Sequence, residues 1–398
     1  MKLSRRHLLF PFLLVMYEIS IYLSNDMYLP ALPEMMRHLQ LSATEAQLTI
    51  TMWFIGSAIM PIVMGGLADR FGRRPTLLVG GVFYVLATFI CAMSQTETSL
   101  LAARLIEGAM VSSMMVAGYA SIHELYDHKD AIRMLALMGS ISVLAPALGP
   151  LIGACILLVG SWRLIFWVIG IYSSLMLFNL YRYMPETLAD EKRQSLHFGK
   201  LLLSYGRVLR NSNFLLLMLI LGFTFGGFIS WISAGPLLVI ESFKFSALAF
   251  GGIQVMVFAV YIAGNHWVQY LLETRDAHGL VVMGLVITLI GGMAMFIFAI
   301  AFPSQFYLFL ASMIVYSFGS ALCFAPLNRL IIEASDEPMG VRVAMFTVAL
   351  TGFGVLGSGL ASIIFDGSLL SLSYLITTGV VVACLLQLYF HFKQGPKL

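Results

Sequence analysis

Apolar residues run along this chain in twelve long stretches, at residues 8–30, 46–68, 76–95, 100–122, 133–157, 162–182, 213–240, 246–268, 279–302, 305–327, 342–365 and 369–391, and charged, Gly and Pro residues collect at the joins. A helix needs about 20 apolar residues to cross a bilayer, and each stretch reaches that length. The runs are too long and too continuous for the roughly ten-residue alternating strands of a membrane barrel. The pattern therefore predicts an all-α integral membrane protein with twelve transmembrane helices. The longest polar interval divides them six and six: an N-terminal bundle over 1–182, a linker over 183–212 and a C-terminal bundle over 213–398. Met184-Pro185-Glu186-Thr187 stops a helix, because proline lacks a donor and restricts the residue before it. Residues 197–210 alternate Leu with basic residues, which suits either a short helix on the membrane surface or an ordinary basic loop. Two six-helix halves around a central linker are the layout of a two-bundle secondary transporter.

Composition agrees with the pattern. Of 398 residues, 60% are hydrophobic and 11% are Asp, Glu, Lys or Arg, against roughly 25% charged in soluble domains. The cations fix an orientation. Lys2, Arg5 and Arg6 precede the first stretch, Arg70, Arg73 and Arg74 follow the second, and the linker adds Lys192, Arg193, Lys200, Arg207 and Arg210. The opposite side receives only Arg37, Arg163 and Lys244. By the positive-inside rule both termini and the linker are cytoplasmic. The first stretch is too long for a signal-peptide core and contains Glu18, so it is expected to stay as a helix. Cys91, Cys155, Cys323 and Cys384 lack paired spacing and read as small apolar residues rather than disulfides or metal ligands. The net charge of +3 is spread over inside loops, so nucleic-acid binding gains no support.

Against this background the charges inside the apolar stretches stand out. Glu18 and Asp26 lie in the first, Arg104 and Glu107 in the fourth. A charge at mid-membrane costs about 2.5–3.5 kcal/mol on insertion scales and marks a functional site by default. Glu18 and Asp26 are eight residues apart, about 12 Å along a helix and about 80° around it, so both can face one elongated cavity without sharing a proton. Tyr22 stands between them, and Asn25 flanks Asp26. Asp26 reads either as a working acid or as a structural polar residue of the outer vestibule. Glu18 has no cation in its own helix and is the first candidate to carry a proton. Arg104 and Glu107, three apart, share a helical face and can pair; alternatively Arg104 faces one of the first-helix acids. Glu124, near the inner end of the fourth stretch, either serves the same route or only flanks the loop.

Other motifs read as conformational. In Gly65–Pro75 the glycines permit tight turning and close helix approach, Asp69 can accept bonds at a neighbouring helix N-terminus, and Arg70, Arg73 and Arg74 face the inner surface. Gly72 belongs to the same turn. In the fifth stretch, Pro146 and Pro150 bend the helix, while Gly149 and Gly153 let a neighbour approach, which suits a gating surface. The second half holds no charge in the interiors of its stretches, only at their rims, and offers polar candidates for a cavity wall such as Trp231, Gln254 and Tyr316. No G-x-x-x-x-G-K-[ST] loop appears, so no nucleotide or other cofactor is expected. Energy must come from an ion gradient or the substrate.

The Gly65–Arg74 run, Arg104 with Gly108, and Ala145–Gly153 resemble three signatures of the major facilitator superfamily, in its drug:proton antiporter group with twelve spans. Tyr17–Met27, Val116–Glu124, Met184–Thr187 and Trp231–Pro236 are similar to segments of multidrug transporters of that group. The resemblance implies that Glu18 and Asp26 bind protons and cationic drugs, that Arg104 is the functional arginine of the fourth helix, and that Tyr22, Tyr119 and Glu124 line or support the route. One departure is plain: the fourth-helix signature usually has Gln where this chain has Glu107. That acid either holds Arg104 away from the first helix or carries a proton itself. The expected activity is proton-coupled export of lipophilic, often cationic small molecules across the bacterial cytoplasmic membrane, by a monomer embedded in lipid and not an enzyme. The 29 Phe, 16 Tyr and 24 Met suit a permissive pocket, since Met and aromatic rings adapt to varied shapes. The alternatives are an exporter dedicated to one metabolite, such as a siderophore or sugar-like compound, and a membrane sensor or scaffold that transports nothing.

Overall fold

A computed structural model describes residues 5–189, 191, 193, 205–337 and 339–394, which are helical almost throughout and contain no strand among them. Two compact units divide the chain, Met1–Phe198 and Gly199–Leu398. In the first unit the long helices are α1 (Arg5–Asp26), α3 (Ala43–Phe71), α4 (Arg73–Met93), α5 (Glu97–Ser113) running through a π-helical turn at Met114–Gly118 into α6 (Tyr119–Leu125), α7 (His128–Leu157) and α8 (Trp162–Tyr183). A short helix, α2 (Leu32–Leu39), follows α1. In the second unit they are α9 (Ser212–Pro236), α10 (Ala247–Leu271), α11 (Ala277–Ala301), α12 (Phe306–Glu333), α13 (Met339–Ile364) and α14 (Leu369–Gln394).

These helices match the twelve apolar stretches, with ends shifted by a few residues. Ten are long and apolar enough to cross a membrane. The other two are α1, which carries Glu18 and Asp26, and α7, whose polar start precedes an apolar Val143–Leu157. The polar joins place the helix starts. Ser42 and Glu45 form a capping box on α3. The side chains of Thr96, Asp127, Asn211, Ser246 and Asp276 accept from the first-turn N–H groups of α5, α7, α9, α10 and α11, satisfying donors that have no partner within the helix. The first apolar stretch ends earlier than its hydropathy suggests: α1 stops at Asp26, and Pro30 sits in a separate turn at Leu29–Ala31. Of the stretch proposed as a surface helix, residues 205–210 are helical; 197–204 lie outside the described residues.

Small residues set the helix crossings in the first unit. A Cβ on Gly108 of α5 would strike the Trp53 carbonyl of α3, and one on Gly56 would strike the Leu105 carbonyl. Likewise Gly153 of α7 lies against the Met27 carbonyl, and Gly149 against Asp26. The fifth-stretch glycines thus bring α7 directly onto the end of α1, and α7 remains one helix through Pro146 and Pro150. Gly65 departs from expectation, since a Cβ there would meet nothing within 4 Å; it is no close-approach site. Gly72 is required for another reason, its φ of +103°, which side-chain-bearing residues rarely adopt.

Gly108→Ala is therefore expected to lower the melting temperature of the detergent-solubilised protein, by an amount corresponding to about 1–3 kcal/mol of overpacking. Gly65→Ala is expected to leave it unchanged or slightly raised, since alanine is the better helix former. Equal melting of the two variants would contradict the close α3–α5 crossing.

Candidate functional site

The four charged residues in the interiors of the apolar stretches are all inside the first unit, with Glu18 1%, Asp26 3%, Arg104 0% and Glu107 0% exposed. Arg104 of α5 pairs with Glu107 one turn further along. Its Nε donates to the Thr49 carbonyl of α3 at 3.3 Å, Nη1 to the Ser24 carbonyl of α1 at 3.1 Å and also to Glu107, and Nη2 to Asn25 Oδ1 at 3.1 Å and to Tyr28 OH at 3.4 Å. The guanidinium carbon lies 4.5 Å from the centre of the Tyr28 ring. A guanidinium has five N–H donors, and here each has its own acceptor. Glu107 accepts in addition from Thr88 Oγ1 of α4 at 2.7 Å. Glu107 thus does not hold Arg104 away from the first helix: Arg104 takes the ion pair and the α1 contacts together, because its fork reaches both sides at once.

Glu18 sits two turns before Asp26 on α1. Its Oε1 accepts from Tyr119 OH of α6 at 2.6 Å. Its Oε2 is buried without a hydrogen-bond partner among the described residues, and an unsatisfied buried carboxylate oxygen is costly unless another group completes it. The π-helical turn before α6 adds a residue to the helix and sets where Tyr119 points; such turns often occur at functional sites. Tyr22 is half-buried between the two acids. Asp26, the last residue of α1, is walled by Gly149 of α7.

The turn between α3 and α4 makes a separate cluster. Arg73 donates to Asp69 at 2.6 Å and to Glu124 of α6 at 3.0 and 3.1 Å, and Thr187 Oγ1 donates to Glu124. Asp69 does not cap a helix as the sequence suggested. The carboxylate that does so is Glu186, which accepts from the backbone N–H groups of Arg73 and Arg74 at 2.9 and 3.2 Å. A longer reach than Asp69 has, from the far side of the turn, lets it meet the α4 N-terminus, where anions are favoured. Gly72 lies against that carboxylate. Arg70 lies over Phe71, its guanidinium 5.2 Å from the ring centre. Glu124 therefore belongs with Arg73 rather than with the α1 acids.

In the second unit the candidate wall residues are packed inward. Trp231 Nε1 donates to Gln254 Oε1 at 2.7 Å, and Tyr316 OH to the Thr224 carbonyl at 2.8 Å; all three side chains are fully buried. The residues that sequence reasoning passed over are Ser24, Tyr28, Thr49 and Thr88, which complete the Arg104–Glu107 network. Their only signal was a polar group inside an apolar run, and Ser and Thr satisfy themselves on helix carbonyls so often that this signal is weak.

The sequence profile of the Major Facilitator Superfamily matches residues 14–362, and the chain belongs to that superfamily of multi-pass membrane proteins. The multidrug transporter MdfA of Escherichia coli O6:H1 is 32% identical over 359 residues, covering 89% of this chain and 86% of its own. MdfA of Yersinia pestis bv. Antiqua strain Angola is 31% identical over 366 residues, covering 92% and 89%. Among solved structures, an inward-facing bacterial homolog of the human lysosomal transporter Spinster superposes with a TM-score of 0.75 at 13% identity, covering 98% of this chain and 97% of its own. At that identity the match concerns the fold alone.

Removing one member of the buried pair strands the other. Arg104→Leu is expected to cost about 3–5 kcal/mol, and the double replacement Arg104→Leu with Glu107→Leu to recover most of it. Thermal unfolding of purified variants measures this; a double variant less stable than the single one would contradict a closed pair.

Proposed function

We propose that this protein is a proton-coupled antiporter that exports lipophilic, often cationic compounds from the cytoplasm, acting in the bacterial inner membrane with both termini cytoplasmic. The observation that carries the reading is Glu18: a buried acid with one oxygen held by Tyr119 and the other unpartnered. Such a group gains a partner either by taking a proton or by receiving a cation, and the two exclude each other at one carboxylate. Tyr119 donates to the carboxylate and fixes its direction, leaving Oε2 as the atom that changes partner. Asp26 offers a second acceptor on the same helix. Exposure of these acids first to one side of the membrane and then to the other exchanges cation for proton. The likeness to MdfA over about nine-tenths of the chain supports multidrug export, and the superfamily membership supports a transporter. The N-terminal bundle over 1–182 would then carry the proton chemistry.

In this reading Glu18→Gln abolishes the proton release that addition of tetraphenylphosphonium triggers from detergent-solubilised protein, followed with a pH indicator dye. Asp26→Asn is expected to leave part of the release and part of the transport, with an altered pH profile. Release from Glu18→Gln equal to that of the wild type would sink the assignment.

A further inference from the structure

At the end of α3 away from the Arg73 cluster, the short helix α2 meets the start of α8 through a side-chain hydrogen bond. Trp162 Nε1 of α8 donates to His38 Nδ1 of α2 at 3.2 Å. An indole nitrogen only donates, so Nδ1 must offer its lone pair, and the contact requires a neutral imidazole with its proton on Nε2. Glu34, one turn earlier on α2, brings Oε1 to 3.7 Å from the same Nδ1. The two neighbours demand opposite states of one atom: Trp162 needs Nδ1 bare, and Glu34 is matched only when Nδ1 carries a proton. Trp162 is fully buried, while the His38 side chain is 50% exposed. A proton therefore reaches the imidazole from solvent without opening the core.

The charged groups on the elements that meet here are otherwise engaged or turned aside. Arg37 is exposed and next to His38 in sequence, so it points to a different face of α2. The Glu45 carboxylate of α3 accepts from the Ser42 backbone N–H in the capping box. Arg163 of α8 lies over the Trp162 ring, its guanidinium carbon 4.3 Å from the ring centre, and donates to the Ser94 carbonyl at 2.8 Å. The turn at Leu29–Ala31 carries no ionisable side chain. Behind Trp162 the rings continue inward, with Phe166 6.0 Å from Trp162 and Tyr28 5.5 Å from Phe166, centre to centre. Tyr28 in turn hydrogen-bonds Thr49 at 3.0 Å and packs against the Arg104 guanidinium. The bond at His38 thus secures the solvent end of a ring series whose inner end holds the buried ion pair.

The geometry points to a proton-operated latch: neutral His38 ties α2 to α8 through Trp162, and protonated His38 releases the indole and pairs with Glu34 inside α2. A proton on Nδ1 turns the acceptor into a donor, so the indole N–H faces another N–H and its bond is lost. Arg163 adds to the effect, because protonation then places a second cation against the same indole. Imidazole is the side chain that ordinarily changes charge between about pH 5 and 8, so the latch is closed at neutral pH and open in acid. With both termini cytoplasmic, as proposed above, this site faces the outside. Acid outside then frees the start of α8 from α2, a control separate from the exchanging acids of α1.

The indole N–H resonances of detergent-solubilised protein, isotope-labelled in tryptophan, read the latch directly, with Trp162 assigned by the signal missing from Trp162→Phe. In the wild type the Trp162 proton is expected to move upfield and exchange faster with water as the pH falls from about 8 to about 5. In His38→Gln, whose amide oxygen is an acceptor that does not titrate, that signal should stay constant over the same range. Glu34→Gln removes the partner of the protonated ring and should displace the change to lower pH. Wild-type protein in which none of the indole signals moves over this range overturns the inference without recourse to a variant. So does a Trp162 change that persists in His38→Gln, or one that Glu34→Gln leaves at the same pH. The measurement needs neither a substrate nor a sided membrane, so its failure overturns the latch and leaves the export reading standing.

Discussion

The buried ion pair of Arg104 and Glu107 is the constraint around which the first unit is assembled. Burying a guanidinium and a carboxylate removes two hydration shells, and their mutual attraction offsets that loss only when the leftover donors and acceptors are satisfied. Satisfaction here comes from α1 through Ser24 and Asn25, from Tyr28 just beyond α1, from α3 through Thr49 and from α4 through Thr88. Each of these elements has to keep its register for the pair to stay closed. A buried pair is weak evidence for net stability; what this one supplies is position. The close α3–α5 crossing at Gly56 and Gly108 brings the Thr49 carbonyl of α3 within reach of Arg104, so packing and electrostatics depend on the same contact.

The first unit separates two kinds of polar work. Inside, the Arg104–Glu107 pair stands beside the two buried acids of α1. At the α3–α4 turn, Asp69, Arg73, Glu124, Thr187 and Glu186 form a cluster that is partly exposed to solvent. Exposed ion pairs stabilise little individually, but Glu186 also caps α4, and Gly72 lets the backbone pass close to it. The cluster therefore ties the start of the interval after α8 to the ends of α3, α4 and α6. In the second unit Trp231 donates to Gln254 and Tyr316 to a backbone carbonyl, and no charge is buried among its described residues.

Much of this was legible in the sequence because membranes enforce a one-dimensional code. Twelve apolar stretches give twelve long helices, since no other open structure satisfies its backbone in lipid. Glu18, Asp26, Arg104 and Glu107 were visible because charge in an apolar run has few innocent explanations. The i,i+3 spacing exposed the Arg104–Glu107 pair, but not that Arg104 would also engage α1, which depends on contacts eighty residues apart. Glu186 was invisible as a cap because its partner helix begins more than a hundred residues earlier. Asp69, close in sequence to that helix, was the natural but mistaken choice. Gly65 and Gly108 look alike as letters; only the crossing of α3 and α5 makes one indispensable and leaves the other in open space. Tyr316 and Trp231 carried no sign that their polar atoms would be satisfied internally.

The central claim is that protons exchange on the α1 acids while the acid of α5 stays ionised against its arginine. Infrared difference spectroscopy in the protonated-carboxyl region, recorded as a cation is added to purified protein, observes this directly. The account predicts loss of protonated-carboxyl absorption on binding, missing its Glu18 component in Glu18→Gln and keeping the same frequency in Glu107→Gln. A protonated-carboxyl band that disappears only when Glu107 is replaced would place the exchanging proton on α5 and contradict the account.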